Sequence, residues 1–545
     1  MSTAFRLVIA AVSGAALSLS YTGFYWSVYS WVCVGVLLLA IFNARGWVAF
    51  GCGFAHAVFF VLTSLPWIAT VLAVHGGLSR VAGCAVLLLI AAVFGILTGG
   101  FAWVVRRLAE RGVVWACAGA PFVWVTFEFA RAHLPEIGFP WNLLGYPAAG
   151  NLALVQMASV TGIYGLSFLV AGFNALLAWA CVARRRGVQR RFAMVVGAAA
   201  GIVLVMLIGP RFVPQAAAGH YARAVQVNFP EVDSYPENWF ETHGGELDEI
   251  ERISLAPSSK RPDLLIWPEA PAPFSFEDAR FAPLGSKLAV RFGHPFLAGV
   301  IEWRAQRQSV AGGERNTVVP YNSAVLVDTL GRNVFTYDKI HLVPFGEYEP
   351  FPLIHQVVTS LSNEVGGFRK GSKYVVGQLP DGFRFGTFIC YEAIFPNEVR
   401  RFAVNGAELF INISNDGWFG RSAAAEQHLR MARVRAVENR RWLLRVTNNG
   451  YTASVDPYGR MVEPLPADVR AAADLAYDFR TDETIYTRYG DWFAWLCVVV
   501  SVILLGVTFW KGNITREEMA ASFEMSPLPA GGGVGMKRGP RTGST

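Results

Sequence analysis

Seven apolar runs fill the first 210 residues, each near the ~20 residues a helix needs to cross a bilayer. They lie near 5–22, 26–43, 47–72, 81–105, 113–131, 155–182 and 192–209, and an eighth runs from Trp492 to Trp510. The third and fourth are long enough to tilt or to extend past the lipid. The first, with Arg6 ahead of its apolar core, has the look of a signal peptide, but the runs behind it read as a retained membrane anchor. Composition agrees: 53% of residues are hydrophobic and only 16% charged, too apolar for an ordinary soluble enzyme. Residues from about 220 to 488 differ, with the mixed composition of a globular domain.

The net charge of +7 does not point to nucleic acid, because the cations cluster between apolar runs, where they report membrane topology. With the N-terminus inside, the inner connections carry Arg6, Arg45, Arg106, Arg107, Arg111, Arg184, Arg185, Arg186, Arg190 and Arg191, and the outer ones only Arg80 and Arg131. Seven spans then deliver the globular domain to the outer side, and the eighth returns the chain to Lys511 and Arg516 inside. Ser526 to Thr545, rich in Gly and Pro, reads as a disordered tail.

The connection Gly138-Phe139-Pro140-Trp141-Asn142-Leu143-Leu144-Gly145-Tyr146 is apolar and aromatic but too broken for a helix. It fits either an interfacial aromatic anchor or the wall of a lipid-facing pocket. The globular stretch opens with a strand, 222–229, followed by a helical stretch, Trp239 to Leu255. Short apolar strands recur at Leu264–Trp267, Phe296–Ile301, Ser323–Asp328, Phe385–Cys390, Leu409–Ser414 and Leu443–Asn448. Helix-compatible pieces separate several of them; in Glu426 to Arg440, Leu429, Ala432 and Ala436 share one face. The pattern predicts a layered α/β domain with covered sheets. A hairpin over Ser323–Tyr337, turning at Gly331, makes the sheet mixed.

Six of the seven cysteines (Cys33, Cys52, Cys84, Cys117, Cys181 and Cys497) sit in apolar runs, where a thiol is a small packing residue. Cys390 alone ends a strand in the globular domain, a placement that suits a nucleophile. Two other strand ends carry chemistry: Leu-Ile-Trp-Pro-Glu ends in Glu269, and Asp-Lys-Ile-His-Leu-Val-Pro-Phe-Gly-Glu presents Lys339, with Glu347 eight residues on. Strand ends of an α/β domain face a common rim. A thiolate attacks, a carboxylate moves protons, and an ammonium steadies a tetrahedral oxyanion. The ammonium is also expected to lower the thiol pKa. His341 offers a rival Cys–His dyad. No cysteine pattern points to disulfides or zinc, and no metal or cofactor is expected.

Those three motifs, in this order, resemble the nitrilase (carbon–nitrogen hydrolase) superfamily and its Glu-Lys-Cys triad. Spans before and after such a domain resemble the bacterial apolipoprotein N-acyltransferase family. So do Gly138-Phe139-Pro140-Trp141, Ser414-Asn415-Asp416-Gly417-Trp418-Phe419-Gly420 and Thr447-Asn448-Asn449-Gly450. The resemblance covers the chain apart from the C-terminal tail. It implies an αββα sandwich joined to an all-α transmembrane bundle of about eight helices. The expected units are 1–215 (bundle), 220–488 (catalytic domain), 490–511 (last helix) and 512–545 (cytoplasmic tail).

The resemblance also implies roles. Glu269 matches the general base, Lys339 the catalytic lysine and Cys390 the nucleophile. Glu347, Tyr391 and Glu392 match supporting residues, and Trp239 and Trp418 match tryptophans of substrate-side loops. The implied reaction passes an acyl chain from a phospholipid through a Cys390 thioester to the α-amine of a diacylglyceryl-apolipoprotein. Its expected setting is the lipid bilayer of a bacterial cytoplasmic (inner) membrane, as a multi-pass monomer with its catalytic domain outside and its termini inside. Loops around Trp239, Thr359–Gly367 and Trp418 are candidate lids. Two other readings stay open: a membrane-tethered amidase or nitrilase for a small substrate, and a non-enzymatic receptor or transporter.

Overall fold

The computed structural model describes residues 1–509 apart from positions 23, 77, 183–187, 232–234, 311, 312, 345, 349–366 and 463. The expected tail, Arg184 to Arg186 and the candidate lid 359–366 fall outside the described residues.

Among the described residues, seven helices are long and apolar enough to cross a membrane: Thr3–Tyr21, Gly46–Ser64, Arg80–Ala109, Val113–Ala132, Ile163–Cys181, Gln189–Phe212 and Trp492–Phe509. The second expected span is a shorter apolar helix, Ser27–Ile41. The long third run breaks before Pro66, and a second helix, Trp67–Val74, starts after it. Proline has no N–H to continue the preceding helix and crowds its last turn. Small residues let the helices close up: a Cβ on Gly14 would lie 1.9 Å from His56 O, and one on Gly53 2.3 Å from Thr98 O. Close backbone approach of this kind drives helix association where lipid offers no hydrophobic contrast.

Three arginines of the expected inner connections gather at one end of the bundle. Arg6 donates to Ala40 O, Arg106 Nε to Ala44 O at 2.5 Å and Arg111 Nη2 to Val507 O at 2.8 Å. The globular domain docks on the other end, where Trp67 meets Phe419 with ring centroids 5.0 Å apart.

Among its described residues that domain has twelve strands: β1 (His220–Gln226), β2 (Leu264–Ile266), β3 (Phe296–Val310), β4 (Gly313–Val327), β5 (Asn333–Asp338), β6 (Val376–Gln378), β7 (Arg384–Ile389), β8 (Leu409–Ser414), β9 (Trp442–Thr447), β10 (Ala453–Val455), β11 (Met461–Val462) and β12 (Ala471–Tyr477). They form two six-stranded sheets, β12-β1-β2-β3-β4-β5 and β11-β10-β9-β8-β7-β6. β1-β2-β3 and β7-β8-β9 are parallel and every other pairing is antiparallel, so both sheets are mixed.

The two-residue period of a strand decides the layers. Ala222, Ala224, Leu264 and Ile266 share a core with Phe385, Leu409 and Ile411 of the facing sheet. Their neighbours Val225, Leu265 and Trp267 pack instead against Ile250, Phe281 and Leu288, on the helices Gly244–Ser254 and Phe281–Phe292. Helices Pro396–Val404 and Ala424–Asn439 cover the second sheet. The result is an αββα sandwich.

The helix Ala424–Asn439 also carries the membrane half. Trp141 Nε1 donates to Gln427 Oε1 at 2.7 Å, Arg433 Nη1 to Ala149 O at 3.1 Å, and Ile163 N to Glu438 Oε1 at 3.0 Å. A helix covered on both sides can bury polar groups if each is paired, which accounts for the buried Gln427, His428, Arg435, Glu438 and Asn439. It also corrects the anchor reading of the 138–146 connection. Trp141 is fully buried, wedged between bundle and sandwich rather than seated among headgroups.

Candidate active site

Three strand ends converge as expected. Glu269 follows β2 by way of Trp267 and Pro268, Lys339 follows β5 directly, and Cys390 follows β7. Lys339 Nζ lies 2.9 Å from Glu269 Oε1 and 3.0 Å from Glu347 Oε1. Asn322 Nδ2 donates to the same two oxygens at 2.8 and 2.7 Å. Glu269 Oε2 accepts from the backbone N–H of Asn415 at 2.8 Å, and Glu347 Oε2 from that of Val343 at 2.8 Å. Both carboxylates are therefore held at two oxygens, which fixes their orientation.

Lys339 is 1% exposed. Burial alone would depress its pKa, but Glu269 and then Glu347 reverse this and hold it well above the usual lysine value. Cys390 behaves in the opposite way from the expectation. Burial pushes its thiol up, Glu269 adds to the rise, and Lys339 only partly offsets it. The ammonium is engaged by two carboxylates, so little of its field is left for the sulfur. The resting group is therefore a thiol.

Cys390 adopts φ +49°, a left-handed conformation that costs a non-glycine residue of order 1–3 kcal/mol and persists only where surroundings impose it. Two contacts hold this turn. Glu392, 2% exposed, accepts from Tyr337 Oη, Ile340 N and His341 N on one oxygen and from Ile389 N on the other. It ties the lysine loop to the cysteine loop. Burial raises its pKa to about 7, against the pull of those donors. Below the turn, His428 Nε2 meets Cys390 O at 3.0 Å.

The remaining expected residues are placed as follows. Tyr391 is buried beside Cys390, with Phe139 stacked at 6.3 Å and Phe395 edge-on at 5.1 Å. His341 pairs with Glu398 at 2.9 Å and stacks on Phe395 at 3.7 Å, an arrangement that does not make a Cys–His dyad. Trp418 is 36% exposed and meets His75 of the membrane half edge-on at 4.9 Å. Trp239, 4% exposed, packs in the outer core against Phe229 and Phe274, where its ring is a packing element rather than one presented to a substrate.

Several residues of the site are not legible from the motifs. Glu231, just past β1, accepts from Asn415 Nδ2 and Asn448 Nδ2, both at 2.9 Å, and burial raises its pKa to about 8. Asp416, His428 and Arg445 form a buried network: His428 Nδ1 lies 3.0 Å and Arg445 Nη2 2.7 Å from the Asp416 carboxylate. Asn415 and Asp416 lie within the quoted Ser-Asn-Asp-Gly-Trp motif, whereas His428 sits inside a helix with nothing local to mark it.

Residues 222–476 match the carbon–nitrogen hydrolase family, and residues 13–176 match the apolipoprotein N-acyltransferase N-terminal domain. An apolipoprotein N-acyltransferase of Geobacter metallireducens is 32% identical over 94% of this chain and 96% of its own length. The chain belongs to the apolipoprotein N-acyltransferase family. A second apolipoprotein N-acyltransferase, from Thermotoga maritima, is 28% identical over 93% of this chain and 94% of its own length. A solved amidase from Nesterenkonia sp. is 18% identical, covers 50% of this chain and 94% of its own, and superposes with a TM-score of 0.34. The nitrilase-like domain is joined here to a membrane-length apolar bundle.

Proposed function

We propose that this protein transfers a fatty acyl chain from a phospholipid to the N-terminal amine of an S-diacylglyceryl-cysteine lipoprotein, through a thioester on Cys390. The observation that carries this reading is the convergence of Glu269, Lys339 and Cys390 in a chain of this family. Glu269 takes the thiol proton, and the sulfur attacks the ester carbonyl. Lys339 and a backbone N–H beside Cys390 hold the oxyanion. Collapse expels the lysophospholipid alkoxide, which regains the proton from Glu269. The acceptor amine then attacks the thioester, Glu269 removes its extra proton, and the departing sulfur recovers it as a thiol.

The docking of the sandwich on the bundle supports the choice of substrates. Both are anchored in the bilayer, so a site at its surface meets them at high effective concentration, and buried walls keep water from the thioester. The gathering of Arg6, Arg106 and Arg111 at the end opposite the sandwich supports an inner-membrane orientation with that end cytoplasmic and the catalytic domain outside.

The test is mass spectrometry of a diacylglyceryl-peptide incubated with enzyme and a defined phospholipid. A gain of one acyl group on the amine, with an acylated Cys390 trapped when the peptide is withheld, is the expected result. Hydrolysis of small amides with no thioester would instead favour a membrane-tethered amidase.

A further inference from the structure

We infer that His428 is a positioning residue for acyl transfer: by holding the Cys390 carbonyl it turns the Cys390–Tyr391 peptide so that the Tyr391 N–H serves the oxyanion. This rests on the thioester reading above and adds to it a residue outside the three motifs.

The geometry runs through one peptide plane. His428 Nε2 is 3.0 Å from Cys390 O, and a carbonyl oxygen only accepts, so Nε2 carries a proton whatever the charge of the ring. In a trans peptide the C=O and the following N–H point in opposite directions, and the chain has no cis bond among its described residues. Fixing the Cys390 carbonyl toward His428 therefore aims the Tyr391 N–H to the opposite face. Cys390 itself adopts φ +49°, and the hydrogen bond from His428 offsets part of the cost of that conformation.

His428 is itself over-determined. It has no exposed surface. Nδ1 lies 3.0 Å from Asp416 Oδ1 and 3.2 Å from Arg445 Nη2, and Asp416 is further held by Ser414 Oγ at 2.8 Å. Trp141 of the membrane half lies against the ring at 5.7 Å and Phe419 at 5.9 Å. Such support fixes a ring to within a few tenths of an ångström, which an oxyanion donor needs.

Two reactions of the same sulfur separate positioning from fold. Thioester formation passes through an oxyanion, whereas alkylation by iodoacetamide is a displacement that forms none. The full chain in nanodiscs is compared as wild type, His428→Phe and His428→Gln. We expect His428→Phe to slow thioester formation about 100-fold, the usual effect of losing one oxyanion donor, with alkylation within about twofold of wild type. We expect His428→Gln, whose amide N–H reaches the carbonyl, to regain thioester formation to within about tenfold of wild type. The inference is overturned if alkylation and thioester formation fall together, if His428→Phe acylates normally, or if His428→Gln is no better than His428→Phe. Should His428→Phe not fold, the split is read on His428→Leu, which likewise lacks the donor. Slower acylation with unchanged alkylation supports the inference, and parallel loss or no loss in either overturns it. Wild-type enzyme that alkylates but forms no thioester would overturn the proposed function itself.

Discussion

Glu269 and Lys339 meet at 2.9 Å with the lysine buried, and the same carboxylate raises the thiol pKa of Cys390. One residue therefore suppresses the resting thiolate and, in the proposed reaction, also supplies the base that generates it. Glu269→Gln is expected to split these roles. With the charge gone, the midpoint for iodoacetamide alkylation of Cys390 shifts to lower pH. Thioester formation falls by ~10²–10⁴, the usual contribution of a positioned base. Alkylation profiles and single-turnover acylation on the same preparation check both. A midpoint that rises or stays fixed refutes the assigned coupling.

Glu392 is a clamp, and its removal should register as stability. Its two oxygens take four donors from the lysine and cysteine loops. In Glu392→Gln the amide nitrogen cannot accept, so at least one buried N–H loses its partner, at about 1–3 kcal/mol. The expected result is a lower melting temperature together with slower acylation, since Lys339 sits on one of the joined loops. Equal melting temperatures for variant and wild type would remove the clamp.

The strand that ends in Cys390 was legible because β7 is a short apolar run stopped by Cys-Tyr-Glu, a purely local signal. The same holds for Leu264–Trp267 before Glu269. Short edge strands such as β10 and β11, and the returning β12, carry no such signal, since their extended form depends on partners supplied from elsewhere; β12 pairs with β1 across some 250 residues of chain. The hairpin of β3 and β4 runs far past the expected Phe296–Ile301 and Ser323–Asp328, because polar residues such as Arg304 and Gln306 alternate there without an apolar face. Charge state was the least legible property. A lysine near a thiol promises a thiolate only if its charge is free, and Glu269 and Glu347 were each recognised without the distance that joins them.

Glu231 predicts a pH dependence of stability. Its carboxyl rises from an ordinary value of 4.5 to about 8 on burial, so the folded state takes up a proton that the unfolded state has released. The contribution is full below the unfolded value and is lost as pH rises through about 8. The melting temperature of the wild type should therefore fall across this window relative to that of Glu231→Gln, which cannot ionise. Parallel curves for the two proteins would place the carboxyl in water.

The two tryptophans implied as substrate-side residues should separate by what their loss affects. Trp239 lies in the outer core, 5.3 Å from Phe229 and 5.8 Å from Phe274, with His243 stacked at 4.5 Å. Truncating such a ring leaves a cavity that its neighbours fill only in part. Trp239→Ala should cost ~3–5 kcal/mol of stability, and any loss of activity should follow the loss of folded protein. Trp418 is a third exposed on the loop that follows Asn415 and meets His75 of the membrane half. Trp418→Ala should leave the melting temperature within a degree or two, since partly exposed side chains contribute within about 0.5 kcal/mol, while raising KM for the lipid substrates. Denaturation and steady-state kinetics on both variants decide the matter. A stable Trp239→Ala with a raised KM would return that residue to the substrate side, and an unstable Trp418→Ala would make its contact with His75 part of the joint between the two halves.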